Sequence, residues 1–163
     1  MAETLDVVSM LPQKFEPIAK RRFIFAIEGI DAFLVKTAAR PEITTEEVAI
    51  PWINSTRYIA GKTKFGTLAV TLHDAIAPSA AQQVMEWQRL CFESISGRSG
   101  YADFYKRDIQ IKMLDPVGTV IQLWDVKGAF ITSAGFGELS YEDESGLAEI
   151  SLTLRFDNMS MQY

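Results

Sequence analysis

Only one stretch of this chain, from Ser79 to Ile95, carries a helical repeat, and the patterned segments on either side of it alternate with a period of two. Such a chain has to build its body from strands and bury one helix face against a sheet. Val84, Trp87, Cys91 and Ile95 recur at helical intervals, Pro78-Ser79 opens the segment, and Ser79 and Gln82 have capping-box spacing. Ser96-Gly97 ends it. Gln82, Gln83, Glu86, Arg89 and Glu93 supply the polar side, so the helix is expected on the flank of a sheet with Trp87 as its anchor.

The 163 residues, 48% of them hydrophobic, suffice for one domain with a substantial core. No apolar run approaches the roughly 18 residues of a membrane span. Met1-Ala2-Glu3-Thr4-Leu5-Asp6 lacks the basic and apolar regions of a secretion signal, so a soluble protein with no membrane partner is expected. The single cysteine, Cys91, cannot form an internal disulfide and, lying on the apolar stripe, reads as a buried thiol. With His73 the only histidine there is no zinc-type ligand spacing, and neither a metal nor a cofactor is expected. A net charge of −5 disfavours sequence-reading nucleic-acid binding, which relies on clustered Lys and Arg. The one basic run, Lys20-Arg21-Arg22, precedes a strand and reads as a solvated edge that discourages stray pairing.

Residues 1–19, with Pro12 and Pro17, read as an N-terminal arm, residues 20–157 as a single β domain and residues 158–163 as a C-terminal tail. Arg21 to Glu28 is the first strand, with Phe23, Phe25 and Ile27 on one face, and Gly29-Ile30-Asp31 is expected to turn it into a hairpin with Ala32 to Ala39. Ile43 to Ile50 is strand-like. Pro51 and the polar stretch from Asn54 to Lys64 follow, with the basic Arg57, Lys62 and Lys64 interleaved with Trp52 and Tyr58, the composition of a long loop or projecting hairpin. Phe65 to Asp74 alternates as half-buried sheet. Arg107 to Leu114 and Thr119 to Val126 flank a type I turn at Asp115-Pro116-Val117-Gly118, Gly128 to Ser133 continues beyond a bend, and the last strand sets Ile150, Leu152, Leu154 and Phe156 against Glu149, Ser151, Thr153 and Arg155.

Catalytic chemistry is thinly provided for. The carboxylate runs Glu46-Glu47 and Glu142-Asp143-Glu144 are adjacent in sequence, and strand neighbours face opposite ways, so neither forms an acid/base couple. Gly135-Phe136-Gly137 and Gly97-Arg98-Ser99-Gly100 lack the strand, loop and helix order of a phosphate cradle, and Asp143-Glu144-Ser145-Gly146 lacks calcium-loop spacing and reads as a solvated turn. No enzyme is expected.

The run from Ile50-Pro51-Trp52 through Tyr58-Ile59-Ala60-Gly61 to Leu72 resembles the long-loop-then-strand region of tail tube proteins from contractile-tailed bacteriophages. Gln83-Val84-Met85-Glu86-Trp87-Gln88 resembles that family's single helix, and Gly137-Glu138-Leu139 through Glu149 to Asp157 resembles its closing strands. The resemblance covers most of residues 20–157 in the same order. It implies a mainly β fold, an antiparallel β-sandwich or barrel-like tube subunit with one flanking α-helix. It also implies hexameric rings that stack into a tube inside a sheath, between a baseplate or tube initiator and a tail terminator, with the tape-measure protein and DNA in the lumen. The implied location is the virion tail, assembled in the host bacterial cytoplasm. Two alternatives stand beside this reading: the tube of a phage-derived injection device or type VI secretion system, and a monomeric β-barrel that binds a small ligand.

The resemblance makes Trp52, Asn54, Arg57, Tyr58, Lys62 and Lys64 the contact loop between rings. A conduit for DNA should not hold its cargo, so polar strand faces without clustered cations are the natural lining. Glu46, Glu47, Asp108, Gln110, Glu149, Ser151 and Thr153 are the candidates, although Glu46 and Glu47 cannot both point inward from a regular strand.

Overall fold

The computed structural model describes residue 10, residue 12 and residues 14–163, so the expected arm lies largely outside the described residues. Among the described residues nine strands carry the fold: β1 (Phe23–Ile27), β2 (Val35–Ala38), β3 (Ile43–Trp52), β4 (Ser55–Phe65), β5 (Thr67–His73), β6 (Arg107–Leu114), β7 (Val120–Gly135), β8 (Glu149–Arg155) and β9 (Asn158–Met161). Among elements that lie wholly within the described residues, the helices are α1 (Ala80–Cys91) and the single-turn α2 (Ala102–Tyr105). Seven strands form one antiparallel sheet in the order β1-β6-β7-β8-β5-β2, with β9 on β7, while β3 and β4 pair only with each other.

The long strand β7 folds the seven strands into two layers. Its first half pairs with β6 and β9 and its second half with β8. Between the halves Gly128 takes the left-handed conformation, φ +68°, which a residue with a Cβ rarely adopts. Its amide donates to Asp108 Oδ1 at 3.2 Å. Alternation then places Phe25, Ile109, Ile111 and Val126 of one layer against Leu68, Val70, Leu72, Ile150, Leu152 and Leu154 of the other in a single core. The result is the mainly β, sandwich-type architecture with one principal helix. The turn at Asp115 forms with Gly118 N–H bonded to Asp115 O at 3.2 Å and Asp115 Oδ1 accepting the amides of Val117 and Thr119.

Three local expectations are corrected, and one left open between two forms is decided. Residues 21–39 are not a hairpin: β1 pairs with β6 and β2 with β5. A 3-10 turn at Ala32–Leu34 drives Leu34 into the core and carries the chain from one layer to the other. The helix stops at Cys91, because Phe92 is extended and the Gly100 amide takes the Cys91 carbonyl at 2.9 Å; Ile95 is therefore 93% exposed and Cys91 only half-buried. Of the two forms expected for Asn54 to Lys64, long loop or projecting hairpin, the structure has the hairpin, with β4 as its second strand. The expected tail forms β9, with Met159 packed against the core.

Helix α1 docks as its pattern requires. Ser79 Oγ caps it by accepting the Gln82 amide at 3.3 Å, and Ala80, Val84 and Trp87 are buried. Gln83 ties it to the 3-10 turn through Asp31 Oδ2 at 2.9 Å.

Candidate assembly interface

Strands β3 and β4 form a ribbon in which every β3 residue is exposed. Its register runs from Ile43 opposite Phe65 to Trp52 opposite Ser55, with one irregularity between Thr45 and Glu47. A two-stranded ribbon is marginal on its own in water, so one that stands clear of its body needs a partner. The strands are built for extension: β-branched residues recur along both, and Pro51 is tolerated because the ribbon's edges are unpaired within the subunit.

Alternation separates two ribbon faces. Val48, Ile50, Trp52, Ile59 and Arg57 share one, whereas Ala49, Pro51, Tyr58 and Ala60 share the other. The sequence-derived contact residues are thus divided: Trp52 and Arg57 lie on the apolar face, with Lys64 bonded to Glu46 near the base, while Tyr58 is behind, Asn54 is in the turn and Lys62 is at the irregularity. At the tip, Trp52 is 71% exposed and Ile53 is 87% exposed with φ +49°. A β-branched side chain in that region is strained, by about 1–3 kcal/mol. Sequence reasoning missed Ile53, Val48, Ile50 and Ile59. The available signal was the alternation of Val48, Ile50 and Trp52 up to the turn, which Ile59 alone resumes beyond it after Ser55 and Arg57.

The lining candidates fall on three separate surfaces. Glu46 and Glu47 are on the ribbon, Asp108 and Gln110 are on the outer face of the β6 layer, and Glu149, Ser151 and Thr153 are on the outer face of the β8 layer. Asp108 accepts from Lys127 Nζ at 2.8 Å, and this hydrogen bond holds its carboxyl below the usual aspartate range. Glu149 is bonded to Lys36, which lowers its pKa in the same sense. On the β8 layer Thr67, Ala69 and Thr71 lie opposite Arg155, Thr153 and Ser151, a band of mostly small, hydroxylated side chains.

Trp87 is 1% exposed, and its Nε1 donates to Tyr105 O at 2.6 Å. The Arg107 guanidinium lies 4.9 Å from the ring centroid, and burial lowers its pKa. Among the described residues no three His, Cys, Asp or Glu side chains gather as metal ligands, and no helix is long and apolar enough to cross a membrane.

No family model matches the chain. It is 25% identical over 124 residues to a tail tube protein of Serratia phage KSP90, covering 76% of this chain and 70% of that protein. Among solved structures it is similar to a chain of the anti-feeding prophage tube-terminating cap, with a TM-score of 0.75 at 19% identity, covering 97% of this chain and 99% of that one. A chain of the sheath-tube complex of an extracellular contractile injection system in its extended state gives a TM-score of 0.71 at 18% identity, covering 98% and 99%. The chain thus has the fold found in these tube assemblies.

Proposed function

We propose that this chain is a structural subunit of a contractile phage tail tube, not an enzyme, and that its subunits close into rings, six to a ring, and stack into a conduit. The observation that carries the reading is the β3–β4 ribbon, a two-stranded arm with one apolar face that is exposed along all of β3 and meets its own subunit only at its base, through Phe65. Open sheet edges at β1 and β2 supply the second requirement, because their unpaired backbone groups are satisfied when neighbours close a ring. The tube of a phage-derived injection device shares this architecture and the same similarities. The ligand-carrier reading loses ground, since the space between the layers is filled by Leu68, Leu72, Ile109, Ile111, Ile150 and Leu154.

In this assembly the sheath lies outside the tube, a baseplate or initiator starts it and a terminator ends it. Tape-measure protein and then DNA occupy the lumen of the virion tail, which assembles in the host cytoplasm. The outer face of the β8 layer is the lining, because the small side chains of Thr67, Ala69, Thr71, Ser151 and Thr153 separate its cations, Arg155 at one end and Lys36, bonded to Glu149, at the other, and leave no cluster that grips phosphate. Glu46 and Glu47 belong to the ribbon and Asp108 and Gln110 to the opposite layer, so they are not lining residues in this arrangement.

Electron microscopy of the purified protein tests the reading: rings or hollow tubes are expected at high concentration, and a monomer under every condition overturns it. Because residues 55–62 belong to one strand of a ribbon, a clean excision takes both strands, replacing residues 46–62 by an Asn-Gly turn between Thr45 and Thr63, which face each other. Folded subunits or single rings without elongation are the expected product.

A further inference from the structure

The ribbon and the acidic segment 136–148 lie at opposite ends of the β8 layer. The ribbon departs where Thr67 of β5 faces Arg155 of β8; its base is tied there by the Gly66 amide on Glu42 O at 3.0 Å and by Phe65 against Phe156, ring centroids 5.8 Å apart. The acidic segment returns at the other end, where His73 faces Glu149 and the Asp74 amide donates to Ala148 O at 3.0 Å. The seven residues of β5 between them span roughly 20 Å at the rise of an extended strand.

The two surfaces are complementary. Segment 136–148 carries Glu138, Glu142, Asp143 and Glu144 and no Lys, Arg or His. Leu139 and Tyr141 are exposed on it. It is a shaped surface: Asp143 Oδ1 accepts the amides of Ser145 and Gly146, at 3.3 and 2.9 Å, and beside that turn lies a cleft of about 200 Å³ lined by Glu138, Leu139, Ser140, Asp143 and Leu147. The ribbon presents the converse, an exposed stripe of Val48, Ile50, Trp52 and Ile59 with Arg57 among them.

Resting on the tube reading above, we propose that the apolar face of the β3–β4 ribbon docks on segment 136–148 of a second copy of this chain in the next ring, with Arg57 entering the cleft beside Glu138. The ribbon's base and the cleft lie at opposite ends of the β8 layer and the ribbon pairs with no other strand of its own subunit, so the ribbon and cleft that meet belong to different subunits. Translation along the β8-layer strands repeats the contact without closing it. That is a heterologous interface, the kind that generates an open filament. Tyr141, Leu139, Trp52 and Ile53 are then covered together, and the Arg–carboxylate pair fixes the register.

The test uses purified full-length protein with wild-type tubes as the control. Arg57→Glu and Glu138→Arg are each expected to abolish long tubes while leaving rings, and the double substitution to restore them. Both side chains are exposed, so the subunit's melting temperature stays unchanged and loss of stacking is separable from loss of fold. Normal tubes in both single variants overturn this interface while leaving the tube reading intact, as does failure of the double variant to recover. Absence of tubes from the wild-type protein overturns the tube reading itself.

Discussion

At the scale of single residues, Trp87 carries the most structural weight. Truncating a buried Trp costs about 3–5 kcal/mol, and the Tyr105 carbonyl left without its donor adds to that, against a net stability of about 5–15 kcal/mol for a domain. Trp87→Ala is expected to lower the melting temperature by roughly 10 °C or more, since each kcal/mol shifts a domain of this size by about 2–4 °C. Trp87→Phe keeps most of the apolar volume but loses the hydrogen bond, so it should fall between the two; equal melting of the alanine variant and the wild type would mean that the ring does not anchor α1. The position was legible in the sequence because an indole on a helical stripe has few places to go but inward. Its polar partner was not, because the Tyr105 carbonyl is presented by α2, a single turn with no periodicity to read.

At the scale of elements, the ribbon shows how a local strain and an exposed apolar tip belong together. Ile53 holds a conformation that glycine adopts freely, in a two-residue turn where glycine is a common choice. Ile53→Gly should relax the turn, raising or preserving the subunit's thermal stability, while weakening tube elongation because the tip loses its side chain. The measurement is paired: melting of the subunit, and mean tube length by electron microscopy. Tubes of normal length would show that the Ile53 side chain is not part of the contact. Elements whose residues alternate toward one core were foreseeable, as β5, β6 and β8 were. The ribbon was foreseen only as a loop or projecting hairpin because it has no buried face: polar and apolar residues mix on its strands. Helix α1 ran short of its pattern for a different reason, since the backbone bond from Gly100 closes its end before Ile95 is reached.

At the scale of the whole molecule, the proposed lining is a property of many identical faces around a ring. One unfavourable residue is therefore repeated in every subunit. Ser151→Lys with Thr153→Lys places cations on the outer face of the β8 layer. In assembled particles DNA ejection is expected to slow at low ionic strength and to recover as salt screens the attraction. Intact tubes with unimpaired ejection at low salt would move the lining to another surface. The Glu46→Lys substitution, by contrast, should act on assembly if it acts at all, because Glu46 sits on the ribbon bonded to Lys64.

Read by itself, the sequence determined a strand-built domain, the place of its one amphipathic helix, the inward residues of most strands and the scarcity of catalytic groups. Each of these is written in near neighbours: periodicity, caps and turn residues act over a few positions. Only the tertiary structure decided that β1 and β2 part company into different layers, that residues 158–161 complete a sheet, and that seven lining candidates lie on three surfaces. It alone set the ribbon and the acidic segment at opposite ends of one layer. Strand partners lie far apart in the chain, as with Phe23 and Met113, and alternation says which side of a strand is buried without saying which strand lies beside it.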